Sequence, residues 1–172
     1  MKHFLISLLF LFITQAAIAQ YTVNVELKTT AAEFGDDTEA SLKDKKGELW
    51  IKAWEEQIKP RILADICDQY NLYCINKRLD ISFGHHEDAQ ARLIVELQSM
   101  DQDGECDMQI TLSERNDFGT YDVIWQEDFD KKGEDTHHYN NISSIPFVKA
   151  AFSSSSRIVK ALGFKTAHKM AY

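Results

Sequence analysis

The sequence predicts an α+β fold: a two-layer sandwich in which an antiparallel meander sheet carries helices packed on one face. Three runs between Ala91 and Phe129 alternate apolar and polar residues at period two, which is typical of strands with one buried face. A stretch ahead of them repeats large apolar residues every four positions, and a second helical pattern closes the chain. Helices and strands that segregate along the chain in this way favour the α+β class.

The first elements are a strand and a long helical stretch. A strand is predicted from 21 to 28, where apolar residues alternate with Thr, Asn, Glu and Lys. After a polar loop the period changes near Ser41, and the buried stripe is Trp50, Trp54, Ile58, Ile62, Ile66 and Tyr70. Because proline lacks an N–H and clashes with the preceding turn, we expect Pro60 to kink this helix or to open a second one.

The sheet follows this helix. A strand is predicted from 79 to 83, then a polar loop from 84 to 90 and the meander. The residues expected to point inward from the meander are Leu93, Val95, Leu97, Met108, Ile110, Leu112, Tyr121, Val123 and Trp125. Asp130 to Ser144 has no periodicity and is predicted to be a long loop. A last helix is predicted from Ser144 to Gly163. The residues that alternate with the inward ones are mostly polar, so we expect the helices to cover one face of the sheet and water the other.

The first 19 residues are typical of a secretory signal peptide. Lys2 and His3 precede an apolar run from Phe4 to Ile13, and Ala17 and Ala19 fit a signal-peptidase site. The run is about 10 residues long, where a membrane span needs roughly 20. We therefore predict cleavage after Ala19, one domain over 20–172, no membrane span after cleavage, and a periplasmic or secreted location.

Charge and length limit the possible partners. The chain has 172 residues and a formal net charge of −8. A surface of that sign repels phosphate backbones and anionic lipid, so nucleic acid is not expected as a partner. A mature chain of this length suits a single domain with a substantial core.

Three cysteines would enter an oxidising compartment, where pairing is the default. Cys67 and Cys74 are close in sequence, at an expected helix end and strand start, and we predict a disulfide between them. Pairing of Cys106 with Cys74 is the alternative if their strands adjoin. The spacing of the three matches no zinc pattern.

Two histidine clusters are the candidates for a metal site. His85 and His86 lie beside Glu87 and Asp88, and His137 and His138 lie in the long loop. Imidazoles and carboxylates hold zinc or copper when three or four of them converge. Adjacent histidines on exposed loops more often point apart into water, so a metal site requires the two loops to meet.

Six stretches of this chain are similar to a pattern of bacterial periplasmic domains: Ala91–Leu97, Asp103-Gly104, Met108–Leu112, Gly119, Val123–Trp125 and the closing Lys160–Gly163. Similar domains occur at the amino terminus of the Tol-Pal propeller protein and in curli-secretion and penicillin-binding-protein-activator lipoproteins. The resemblance spans roughly residues 48 to 163, and it implies a domain that binds envelope proteins and performs no chemistry. We expect this chain, unlike those families, to have neither a lipidated cysteine after the cleavage point nor a propeller in these 172 residues, so the resemblance does not identify a particular partner.

Three function classes follow from these patterns. The sequence contains no Gly-x-Ser-x-Gly motif, no phosphate-binding glycine loop and no dinucleotide fingerprint. We therefore expect an exported non-enzymatic envelope protein without a cofactor, which binds a protein or a small ligand through the wet sheet face and the loop from Asp130. A metal-binding protein or metal-dependent enzyme that uses the histidine loops is the second hypothesis. A secreted inhibitor or immunity-type protein is the third.

Overall fold

A computed structural model describes residues 20–136, 138–140 and 142–164. Its strands are β1 (Tyr21–Lys28), β2 (Glu33–Phe34), β3 (Asp37–Thr38), β4 (Ile81–Gly84), β5 (Ala91–Met100), β6 (Glu105–Arg115) and β7 (Tyr121–Lys132). Its helices are α1 (Glu39–Lys46), α2 (Glu48–Ala53), α3 (Lys59–Lys77) and α4 (Ile145–Ala161), and a π-helical turn (Trp54–Ile58) joins α2 to α3. The chain is α+β. The predicted signal peptide, 1–19, and its cleavage point lie outside the described residues.

The sheet is mixed. β5, β6 and β7 pair antiparallel in sequence order. β1 pairs parallel with both β4 and β5, and the short β2 pairs parallel with the end of β5. The prediction that the whole sheet is an antiparallel meander is therefore wrong, although β5, β6 and β7 do form one. The chain returns from β1 through helices before it forms β4 and β5, and such a crossover is what parallel neighbours require.

The core lies between one face of this sheet and the helices. Alternate residues of β5 and β6 are buried there, namely Ala91, Leu93, Val95, Leu97, Cys106, Met108, Ile110 and Leu112. Tyr70 of α3 stacks on Phe83 of β4 with ring centroids 4.9 Å apart. Its hydroxyl lies 2.7 Å from the Ser154 hydroxyl of α4, so α3 and α4 are joined by a hydrogen bond inside the core.

The long helical stretch changes its winding just before Pro60. Lys59 donates its N–H to the carbonyl of Trp54, five residues back. Proline at position 60 would remove a hydrogen bond to Glu56 and press its ring on that carbonyl in a regular α-helix. The wider π turn accommodates Pro60, and the helix continues through α3.

β7 contains a bulge that changes which side chains point inward. Leu112 pairs with Trp125, but the next residue, Ser113, pairs with Val123, which leaves Ile124 without a partner in the ladder. Because side chains alternate at period two, one extra residue moves the rest of the strand to the opposite face. Tyr121 and Val123 therefore share the outer face, and the prediction that both point inward is wrong.

The segment predicted as a long loop from Asp130 to Ser144 is largely docked. Residues 130–132 belong to β7. Tyr139 is buried, its hydroxyl donates to the carbonyl of Met100, and its own carbonyl accepts the indole N–H of Trp50 at 2.7 Å. Arg61 donates to the carbonyl of the buried Ile142 at 2.6 Å. Within the described part of this segment, the backbone therefore takes part in tertiary packing.

None of the helices in the described ranges combines the length and the apolar character needed to cross a membrane.

Candidate binding surface

The outer face of the sheet is the candidate site. Buried residues alternate along β1, β5 and β6, so the residues between them point to the opposite face of the sheet. Register places Arg92 of β5 between Asn24 of β1 and Ser113 of β6, and Ser113 in turn pairs with Val123 of β7. These side chains form one row across four strands.

Arg92 is fixed in this row by two neighbours. Its Nε lies 3.1 Å from Glu26 Oε1, and its guanidinium carbon lies 4.6 Å from the ring centroid of Tyr121. Tyr121 is itself fixed, because its hydroxyl donates to the carbonyl of Ala89 at 2.9 Å. About two-fifths of the Arg92 side chain stays exposed (41%). The surface therefore presents an arginine in a defined orientation together with an aromatic ring.

His86 lies at the edge of the same surface. Its backbone N–H donates to Asn24 Oδ1 at 3.1 Å, and Asn24 Nδ2 donates to Glu26 Oε1 at 3.0 Å. A Cβ placed on Gly84 would lie 3.4 Å from His86 Nε2, so the imidazole covers this glycine. Nε2 is buried, and no hydrogen-bond partner for it occurs in the described part of the chain.

This arrangement suits binding. The Arg92 guanidinium supplies donors for carboxylate or carbonyl groups, and the phenol ring of Tyr121 supplies a flat apolar face. The pKa values of all three cysteine thiols are raised. Burial, with Asp68 as a second cause, raises the pKa of Cys67 to about 11, and burial alone raises that of Cys74 to about 11. The pKa of Cys106 rises to about 12 through burial and the surrounding carboxylates, Asp101 first.

The structure does not bring the predicted metal ligands together. His86 is held at Asn24, which pairs with Arg92 near the start of β5, whereas His138 adjoins Tyr139, which bonds to Met100 at the end of β5. Eight residues of strand separate these two points, a distance on the order of 25 Å. His85 is exposed on the loop after β4, and His137 lies outside the described residues. Over residues 20–136, 138–140 and 142–164, no group of three or more His, Cys, Asp or Glu side chains is placed to hold a metal.

The predicted Cys67–Cys74 disulfide is not formed. All three thiols are free. α3 does not end at Cys67 but continues to Lys77, so the two cysteines lie on one helix. Seven residues of α-helix rise about 10.5 Å, whereas a disulfide requires Cα atoms within about 7 Å. The prediction was wrong because it placed a strand where the helix continues.

Sequence reasoning did not identify Arg92 and Tyr121 as a pair. Alternation implies an outward Arg92, although the sequence analysis did not single it out, and Tyr121 was assigned to the core because the bulge in β7 was not anticipated. The sequence shows which residues of each strand point outward, but the register of β5, β6 and β7 is needed to see that Arg92 and Tyr121 are neighbours.

No known protein family and no curated protein matches this sequence. Among solved structures, the chain is similar to a dodecameric PelC variant from Paraburkholderia phytofirmans, with 12% identity over 87% of this chain and 88% of that one and a TM-score of 0.37. It is also similar to an uncharacterized protein, with 9% identity, coverage of 83% and 90%, and a TM-score of 0.34. A Xanthomonas campestris protein of the DUF330 family has 9% identity, coverage of 84% and 86%, and a TM-score of 0.31. Likenesses this distant carry no information on function, and the resemblance to Tol-Pal and curli-secretion domains stays a prediction.

Proposed function

We propose that the chain is an exported, non-enzymatic protein of the bacterial cell envelope that binds another protein through the outer face of its sheet. The observation that supports this proposal is the oriented Arg92 and Tyr121 pair on a sheet face that the described helices do not cover. The amino-terminal segment with signal-peptide character supports export to the periplasm or beyond.

The chemistry of the surface supports a protein partner in particular. Arginine and tyrosine are enriched among the residues that carry most of the binding energy at protein interfaces. Arg92 loses little side-chain freedom on binding, because Glu26 and Tyr121 already hold it. Val123, of which 61% is exposed, adds apolar area beside this pair. The partner surface should present a carboxylate to Arg92 and an apolar group to Val123.

We also propose that the domain carrying this surface is a two-layer sandwich. α3 and α4 form one layer, and the sheet forms the other. One face of the sheet is then free for a partner. Binding of this kind needs no cofactor.

Photo-crosslinking in exporting cells tests the proposal. A photoreactive amino acid at Val123 should give a crosslinked adduct with one defined envelope protein, and Arg92→Ala should remove that adduct. Truncation of a central interface residue typically costs 2 kcal/mol or more, a loss of about thirtyfold in affinity.

The matched control is a probe at Leu49, which is 88% exposed on α2. It should give no such adduct, because α2 does not contribute to the sheet face. Equal labelling from both positions, or an adduct at Val123 that is insensitive to Arg92→Ala, would contradict the proposal.

A further inference from the structure

The turn between β6 and β7 displays a single aromatic side chain. Phe118 is 93% exposed at its tip. Asn116 holds the turn, because its Oδ1 accepts the N–H groups of Phe118 and Thr120 at 3.0 and 3.1 Å and its Nδ2 donates to Thr120 Oγ1 at 2.7 Å. Gly119 takes the positive φ of +79° that this turn needs. Phe118 is therefore presented on a fixed turn beside the exposed carboxylate of Asp117.

A cavity of about 390 Å³ lies at the other end of β7, where α3, α4 and β7 meet. Its lining residues are Gln69, Lys131, Val148, Lys149, Phe152 and Ser153. Val148 and Phe152 supply apolar surface, and Phe152 is 69% exposed. The two charged lining residues are both lysines. Ile145–Ala161 as a whole contains three basic residues and no acidic one, although the chain is strongly acidic.

The two features complement each other in chemistry. A phenylalanine side chain is large and apolar, and Val148 and Phe152 offer it apolar contact in this open groove. Asp117, next to Phe118, carries the charge opposite to that of Lys131 and Lys149. Lys149 donates one N–H to the carbonyl of Lys132 at 2.7 Å, and an ammonium group has three donors, so it retains others for Asp117.

One molecule cannot join its own turn to its own cavity. The turn precedes Tyr121, and Lys131 lies ten residues further along β7, on the order of 30 Å away in an extended strand. We propose that Phe118 of one copy inserts into the cavity formed by α3, α4 and β7 of a second copy, and that Asp117 pairs there with the two lysines. Because the two surfaces differ, this contact is heterologous, and successive copies add head to tail until a ring closes or a filament grows. The contact does not use the Arg92 and Tyr121 pair, so it is independent of the partner proposed above.

Analytical ultracentrifugation of the mature chain tests this contact with two kinds of variant. Phe118→Ser removes the inserted side chain, and Lys131→Glu/Lys149→Glu reverses the charge of the cavity. Phe152→Asp is a second cavity variant; because Phe152 is 69% exposed, we expect the variant to fold, which circular dichroism checks. We expect wild type to form species larger than one chain as concentration rises. Each variant alone should be monomeric, with association weakened about thirtyfold or more.

Mixing the variants gives the decisive result. The Phe118→Ser chain keeps an intact cavity, and the Lys131→Glu/Lys149→Glu chain keeps an intact Phe118, so an equimolar mixture should form a dimer and nothing larger. Leu49→Ser, which removes an exposed apolar side chain that belongs neither to the turn nor to the lining of the cavity, should associate as wild type does.

Three outcomes would overturn the contact: wild type that stays monomeric, Phe118→Ser that still associates, or a mixture that stays monomeric. Crosslinking from Val123 to an envelope protein would be unaffected by any of them, so failure of this contact is distinguishable from failure of the proposed function.

Discussion

Glu39 is the buried charge on which the packing of the helical region depends, and its replacement by glutamine tests that dependence. Only 2% of the Glu39 side chain is exposed. Its Oε1 lies 2.6 Å from Lys43 Nζ and 2.9 Å from Lys59 Nζ, and it accepts the indole N–H of Trp54 at 3.0 Å. Glu39→Gln keeps an acceptor for Trp54 but leaves the two lysines without this carboxylate.

The magnitude follows from the pKa. Burial by itself would raise the pKa of Glu39, but the hydrogen bonds from Lys43, Lys59 and Trp54 outweigh burial and lower it to about 2. Each tenfold change in the ionisation constant corresponds to about 1.4 kcal/mol, so this drop corresponds to about 3 kcal/mol. Water reaches Lys43 and screens part of the attraction, and we therefore expect Glu39→Gln to lower the free energy of unfolding by about 2 kcal/mol at pH 7.

Urea unfolding followed by tryptophan fluorescence measures this loss. A carboxylate whose folded-state pKa is depressed stabilises the fold fully above its unfolded pKa of about 4.3, and the contribution disappears as pH falls towards the folded pKa. The difference in unfolding free energy between wild type and Glu39→Gln should therefore be largest above about pH 5 and shrink towards pH 2. In thermal unfolding, the neutral-pH difference amounts to about 4–8 °C.

Glu56→Gln is the matched control, because Glu56 is exposed on the π turn nearby. Its effect should stay within about 0.5 kcal/mol. The reasoning would be refuted if Glu39→Gln were as stable as Glu56→Gln at pH 7, or if the difference between wild type and Glu39→Gln did not decrease below pH 4.

Three further predictions concern the core and the turns. Gly104→Ala should lower the free energy of unfolding by more than about 3 kcal/mol, because a Cβ there would lie 2.1 Å from the Glu134 carbonyl oxygen. Gly47→Ala has nothing within 4 Å of the added Cβ and should cost only the backbone strain of its φ of +77° and ψ of −177°, about 1–3 kcal/mol and less than Gly104→Ala. Urea unfolding of both variants compares them, and equal losses would contradict the contact. Tyr70→Phe should cost about 1 kcal/mol in the same assay through the lost hydrogen bond to Ser154, and an unchanged midpoint would argue against that bond. Alkylation in denaturant without prior reduction should modify all three cysteines of the exported protein, since all three thiols are free. Intact mass is the readout, and a mass that shows only one alkylated cysteine would indicate a disulfide.

Local pattern predicted the elements well where one period dominates. The alternation in β5 and β6 and the apolar stripe of α3 give the buried residues directly, because burial of one face imposes the period. β7 deviates at Ile124, where one residue has no partner in the ladder. No residue type in that strand marks the bulge, since it arises from pairing with β6.

The sequence did not predict which distant segments of the chain contact each other. The parallel pairing of β1 with β5 and the docking of Tyr139 onto Trp50 join segments that are distant along the chain. The same holds for the candidate site, where Arg92 meets Tyr121 only because β5, β6 and β7 pair in one register. The sequence also did not predict that the two histidine loops lie apart, with His86 near the start of β5 and His138 near its end.

The π turn ahead of Pro60 also determines which way the side chains on either side of it point around the helix axis. Residues spaced by four in an α-helix advance about 40° beyond a full turn at each step, so a stripe with that spacing spirals away from any flat surface it covers. The buried residues of the α2 to α3 stretch keep this spacing, namely Trp50, Trp54, Ile62, Ile66, Tyr70 and Cys74. The wider turn takes up an extra residue and resets this drift midway, so both halves of the stripe face the core. Deletion of Gln57 would remove this extra residue and leave the tryptophans and isoleucines in phase, but Pro60 would then lie in a regular α-helix, where its ring presses on the carbonyl one turn back.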